Sequence, residues 1–136
     1  MDRLETKADN FLSCHIPIQE ALPSLFSQGK AFLADYRREV QRRRDLAVGL
    51  LREEKALHFH APQGGFYLTL AVDPKIRLDE EEFVIRLMEE EGVFVHPGYF
   101  YDDESGTHLV ISFLTQQGDL KEGVGRLRKF LHSVQY

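Results

Sequence analysis

The sequence holds a single cysteine, Cys14, so no disulfide can close within the chain. It has no apolar run near the ~20 residues that span a bilayer, and a membrane is not an expected partner. Basic charge is also scarce, with 17 Lys and Arg against 22 Asp and Glu, for a formal charge of −5. Such a surface has no general attraction for phosphate backbones, so nucleic acid is not an expected partner either. The opening stretch from Met1 to Asn10 is polar and carries both charges, unlike a secretory signal. A reducing, cytoplasmic setting is therefore the expectation.

What is present suits one globular domain. A length of 136 residues with 43% hydrophobic content can bury one core and is too short for two ordinary domains. With 29% charged residues, ten glycines and five prolines, the composition resembles neither a disordered nor a collagen-like chain.

Periodicity predicts the elements. Phe11 to Gln28 reads as a helical segment starting near Pro17, with Pro23 expected to kink or end it. After Gly29 a long helix is predicted to about Glu54, with Phe32, Tyr36, Val40, Ala47, Leu50 and Leu51 at three- and four-residue spacing. The period then drops to two. Leu57 and Phe59 alternate with His58 and His60, and after a turn at Pro62 to Gly65, Phe66, Leu68, Leu70 and Val72 alternate with Tyr67, Thr69 and Ala71. These two strands can pair as a hairpin, the second being central.

Asp79 with Glu82 forms a capping-box pattern, predicting a helix to about Glu91 that buries Phe83, Val84, Leu87 and Met88 and ends at Gly92. Val93 to Val95 reads as a short strand stopped by Pro97 and Gly98. A polar turn from Asp102 to Gly106 leads to a strand, Thr107 to Leu114, with Leu109, Ile111 and Phe113 on one face and His108, Val110 and Ser112 on the other. A last helix from about Asp119 places Leu120, Val124, Leu127, Leu131 and Val134 on one stripe. The order α-α-β-β-α-β-β-α predicts an α/β (α+β) domain, a small, mostly antiparallel sheet with helices packed on one face. The other face would then carry Tyr67, Thr69, His108, Val110 and Ser112, a mixed surface of the kind that lines clefts or partner contacts.

Isolated features name no reaction. His58 and His60, with His15 or His96, have imidazoles suited to zinc, but no cysteine or carboxylate stands at ligand spacing, and no metal is expected. Cys14 beside His15 is a weak nucleophile-and-base pair, because reactive dyads are assembled from distant segments. Gly64-Gly65 precedes a strand instead of opening a helix, unlike a phosphate loop. Arg37, Arg38, Arg42, Arg43 and Arg44 are interleaved with Asp35, Glu39 and Asp45, which reads as a solvated helix face, as do the acidic runs Asp79 to Glu82 and Glu89 to Glu91.

Three stretches together carry a family resemblance. FLSCHIPIQEALP is similar to the part of class I and II (fold-type I) aminotransferases where the chain leaves the large domain for the small one. PQGGFYLTL resembles the family's Pro-x-Gly-small-Phe-Tyr strand, and EEGVFVHPGYFYDDESGTHLVISFLTQQGDLKEGVGRLRKFL resembles its final block. The similarity runs from about Phe11 to Leu131. It implies a polar lead-in over 1–10 and an aminotransferase-like C-terminal small domain over 11–136, including a connecting helix at 29–55. It also implies amino-group transfer between an amino acid and a 2-oxo acid in an intact pyridoxal-phosphate enzyme, whose lysine and phosphate-binding groups lie in the large domain. No catalytic residue and no bound cofactor are then expected in this chain alone, and that large domain is the expected partner.

By the same resemblance Gly65 and Phe66 border the substrate pocket, while Pro97, Gly98 and Tyr99 form a loop near its entrance. The family usually places an arginine immediately before its Ile-Ser pair to hold the substrate carboxylate, and here that position is Val110. Arg77, Arg126 and Arg128 are nearby alternatives in sequence, the last two expected on a helix facing solvent. Two other readings stay open. The chain suits a stand-alone small-molecule-binding or regulatory domain, and it suits a dimerisation module forming a homo-oligomer.

Overall fold

The computed structural model describes residues 15–102 and 106–134, so the lead-in and Cys14 lie outside the described residues. The chain divides after Arg37 into two units. The first contains helix α1, Ile16–Gln28, with Pro17 in its opening turn, where a missing N–H leaves no bond unmade. Of the two outcomes expected at Pro23, a kink or an end, the helix does not take the second, since it continues through Pro23 to Gln28. No residue of α1 is buried, so water can reach the carbonyl that loses its partner and the break costs little.

Helix α2, Lys30–Leu51, begins in the first unit and ends in the second, short of the predicted Glu54. Its apolar stripe divides accordingly. Phe32 and Tyr36 stack on each other at 6.0 Å and remain exposed, whereas Ala47 and Leu51 are fully buried and Val40 and Leu50 pack beside them. Glu54, just beyond the helix, is the one buried charged side chain among the described residues. It accepts from the Ala56 N–H at 3.3 Å and from Arg128 Nε at 3.4 Å, so its burial is compensated.

The second unit carries a four-stranded antiparallel sheet ordered β1-β2-β4-β3, where β1 is Leu57–His58, β2 is Tyr67–Val72, β3 is His96–Pro97 and β4 is His108–Ser112. The first two strands pair as anticipated, with Leu57 opposite Val72, although β1 stops before His60. The predicted strand at Val93 to Val95 is displaced, since its pairing falls on His96 and Pro97 instead. Proline is accommodated because β3 is an edge strand, where an absent N–H interrupts no ladder on the outer side.

Helix α3, Glu80–Glu91, has Asp79 accepting from the Glu82 N–H at 2.8 Å and ends at Gly92, whose φ of 66° is the left-handed region glycine enters without strain. Phe83, Val84 and Leu87 are buried as predicted, but Met88 is 47% exposed, at the edge of the apolar stripe. Helix α4, Gln117–Val134, buries Leu120, Val124, Leu127 and Leu131, and also Phe130, which the predicted stripe omitted. Phe130 meets Phe83 edge to face at 5.0 Å. These side chains join Ala47 and Leu51 of α2 and Leu68, Leu70, Leu109 and Ile111 of the sheet in one cluster, so the helices cover one sheet face. The domain is therefore the small α/β sandwich expected from the element order. No helix among the described residues is long and apolar enough to cross a membrane.

Candidate functional site

The uncovered sheet face is built by strand register. Residues directly opposite on neighbouring strands point the same way, so Thr69, Val110 and His96 form one row across β2, β4 and β3. Tyr67 with Ser112 forms the row on one side, and Ala71 with His108 the row on the other. Four members of the predicted mixed face stay open or half-open, but Val110 is only 6% exposed and provides an apolar floor at its centre.

Beyond β3 a 3-10 turn, Gly98–Tyr101, folds the chain back over this face. His96 Nδ1 is hydrogen bonded to Tyr101 Oη at 2.8 Å, and the Tyr101 ring stands 6.1 Å from His96 and 6.3 Å from Tyr67. Phe94 and Phe100 approach the His96 ring at 5.4 and 5.9 Å. The result is an aromatic cluster whose Tyr67, Phe94, Phe100 and Tyr101 are each roughly half exposed or more. Exposed aromatics grouped in this way are characteristic of contact surfaces and ligand clefts.

Glu80 holds the turn in place. Its carboxylate accepts from the Tyr99 N–H at 2.9 Å and from the His108 N–H at 2.7 Å, joining the start of α3 to both the turn and β4. Glu80 is thus a structural clamp and not a member of a solvated acidic run, as its sequence context had implied. The turn also lies so close to β4 that a Cβ on Gly98 would meet His108 Cβ at 2.6 Å and Glu80 Oε1 at 2.9 Å. Only a residue without a side chain fits there.

A cleft of about 400 Å³ opens beside this face, because β3 is two residues long and leaves the Ser112 end of β4 unpaired on that side. Tyr67, Phe94, His96, Val110 and Ser112 line it together with Val124 of α4. Among the described residues no lysine or arginine lines it, and Asp119 is the one formally charged group that does.

The six sequence-derived pocket residues do not converge on a point. Gly65, in the left-handed region at φ 75°, and Phe66 precede β2 beside Phe113, whose N–H donates to the Phe66 carbonyl at 3.1 Å. Pro97, Gly98 and Tyr99 lie at the other end of β4, near Leu109 and His108, with Val110 between the two groups. Tyr101 links the ends by reaching back to Tyr67. The sequence reading missed Glu80 and the place of His96 on this face. Glu80 is detectable only as a carboxylate beside the capping residue, and the position of His96 depends on where β3 pairs.

Other candidates separate. No group of three His, Cys, Asp or Glu suited to a metal occurs among the described residues. Arg43 is more than part of a solvated face: besides pairing with Glu39 at 2.8 Å it donates to the carbonyls of Leu114 and Thr115, fastening α2 to the end of β4. The hydrogen bond from Arg43 and the side-chain donor of Gln117 hold the Glu39 carboxyl below the usual range. Arg128 leans on Glu54, and Arg126 donates to the Glu91 carbonyl at 3.0 Å and pairs with Glu122.

Comparison with known proteins places these features in a wider group. The family model described as aminotransferase class I and II matches residues 2–127. An aspartate/prephenate aminotransferase of Cereibacter sphaeroides is 35% identical over 127 residues, covering 86% of this chain and 31% of that protein. An aspartate aminotransferase of Sulfurisphaera tokodaii is 32% identical over 95 residues, covering 67% of this chain and 24% of that protein. A Thermus thermophilus aspartate aminotransferase mutant superposes with a TM-score of 0.69 at 31% identity, covering 82% of this chain and 29% of the other. The chain thus spans about a quarter to a third of the length of the curated relatives it matches.

Proposed function

Because this chain belongs to the class I and II aminotransferase family, we propose that it serves as the small domain of a pyridoxal-phosphate enzyme that moves an amino group between an amino acid and a 2-oxo acid. We assign residues 11–136 to that domain, acting in the cytoplasm, with the connecting segment 29–55 carrying helix α2, Lys30–Leu51. The observation that carries the reading is the match over residues 2–127, supported by the share of the relatives that the chain spans.

The described residues do not by themselves fit a cofactor of this kind. Lys30, Lys55, Lys75, Lys121 and Lys129 are all exposed, none lines the cleft, and Lys129 is paired with Glu91 at 2.7 Å. A phosphate and an aldehyde need cations and an amine at the site, so both would have to come from a complementary large domain. In the assembled enzyme Gly65, Phe66 and Val110 would border the substrate, with Pro97, Gly98 and Tyr99 at the entrance. Closure of this lobe would exclude water from the reacting centre.

Val110 sets a condition on the substrate. Valine donates no hydrogen bond, so a carboxylate would have to be anchored by another residue of the whole enzyme. The test is to add pyridoxal phosphate to the purified chain and follow its visible absorption and the chain's thermal stability. The expected result is no saturable spectral change and no stabilisation, whereas a stoichiometric complex at one lysine would refute the proposed division of labour.

A second reading rests on the half-exposed aromatic cluster, which is the kind of surface that drives self-association. Light scattering across a concentration series distinguishes the two readings, because a stable dimer at micromolar concentration would make this chain an assembly module in its own right.

A further inference from the structure

The cleft beside β3 shares Val110 with the proposed substrate border, but its size and the rest of its lining do not depend on that reading. Its volume of about 400 Å³ is within the size of small-molecule sites, and its wall is mainly apolar, with Val110, Leu120 and Val124 in the lining. Rings of Tyr67, Phe94 and His96 stand along it. Aromatic faces carry negative quadrupole charge and attract cations within about 6 Å of the ring centre. The one formal charge in the lining is the Asp119 carboxylate, which is exposed at the first turn of α4. Arg126, beside Gly92 at the cleft's margin, is already engaged by the Glu91 carbonyl and by Glu122. An apolar group is therefore accommodated, the one formal charge favours a cation over an anion, and no cationic side chain in the lining offers a carboxylate an ion pair.

We propose that this cleft is a binding site for a primary amine carried on a compact aromatic group and lacking a carboxylate, with the ring among the apolar side chains that line it and the ammonium facing Asp119.

The experiment uses the full chain, isotopically labelled, titrated with 2-phenylethylamine, phenylacetate and phenylalanine and followed by amide chemical shifts. The amine is expected to move the Ser112, Gly123 and Val124 signals saturably, with phenylacetate at least tenfold weaker and phenylalanine between them. Because Asp119 is exposed, the Asp119→Asn variant is expected to weaken the amine only about three- to fivefold. Gly123→Leu, whose side chain would enter the cleft, is expected to abolish binding, and the ligand-free melting curve of each variant reports whether it folds. Phenylacetate binding as tightly as the amine, shifts mapping away from the cleft, or an unchanged affinity in folded Asp119→Asn would overturn the proposal. Should Gly123→Leu fail to fold, the Asp119→Asn comparison still decides. Failure here leaves the aminotransferase reading intact, since that reading is tested by the cofactor titration.

Discussion

Replacing Gly98 by alanine isolates the contact that holds the 3-10 turn against β4. Gly98 is not in the left-handed region, so the obstacle is space and not backbone conformation. The added methyl would sit 2.6 Å from His108 Cβ, against an ordinary carbon–carbon separation of about 3.5–4.0 Å, and the two segments must part by roughly 1 Å. His108 Cβ cannot rotate away, because it is attached directly to a paired strand. Parting the segments stretches both hydrogen bonds to Glu80.

Overpacking costs about 1–3 kcal/mol and the weakened bonds about 1 kcal/mol more, giving about 2–4 kcal/mol in total. For a domain of this size that is a fall in Tm of roughly 6–15 °C. Urea unfolding followed by circular dichroism measures it, with Gly64→Ala as control, since nothing lies within 4 Å of a Cβ there. Glu80→Ala should destabilise less, and the double variant should lose less than the sum, because both changes act on one cluster. A Gly98→Ala melting temperature within about 2 °C of the unmodified chain would refute the assignment of the turn as a fixed, closely packed element.

Phe130→Ala removes a fully buried ring packed edge-on against Phe83 with the Arg86 guanidinium 5.6 Å from its centre, and should cost about 3–5 kcal/mol in the same unfolding assay. Glu54→Ala leaves the buried Ala56 N–H without its side-chain acceptor and Arg128 without its partner, so a loss of about 1–2 kcal/mol is expected. The Glu39 carboxyl is held below its ordinary range, chiefly by its bond from Arg43. It therefore contributes stability that is present above its unfolded pKa and is lost as pH falls through the folded value. Unfolding midpoints measured across the acid range should show a shallower decline for Glu39→Gln. Gly125→Ala, at an exposed position in α4 with open space around its Cβ, should stabilise by about 0.5–1 kcal/mol.

Element types and order were legible in the sequence because each rests on local rules. The period of two in Leu68, Leu70 and Val72, the cap at Asp79 and the stop at Gly92 act within a few residues, and the structure places all of them as read. The family was legible too, since its motifs lie in contiguous stretches and the family model, over residues 2–127, overlaps most of the span they cover. Boundaries fared less well: β3 formed just after its apolar run and not within it, because strand position depends on what pairs with it, and here His96 pairs with Val110 and Pro97 with Leu109.

The face opposite the helices was half legible. Alternation alone placed Tyr67, Thr69, His108, Val110 and Ser112 together, because side-chain direction in a strand follows from the backbone pleat. What those residues meet there is a matter of distant segments coming into contact. Burial of Val110, the return of Tyr101 to His96 and Tyr67, the two N–H groups held by Glu80 and the Arg43 bonds to Leu114 and Thr115 all join residues that no local pattern relates. Composition and periodicity thus determined the kind of domain this chain forms, whereas tertiary packing alone decided which polar groups became clamps and where a cleft was left beside a short edge strand. The physical reason is range: pleat and helical pitch act over a turn or two, while a carboxylate learns its partners only when strands and helices close around it.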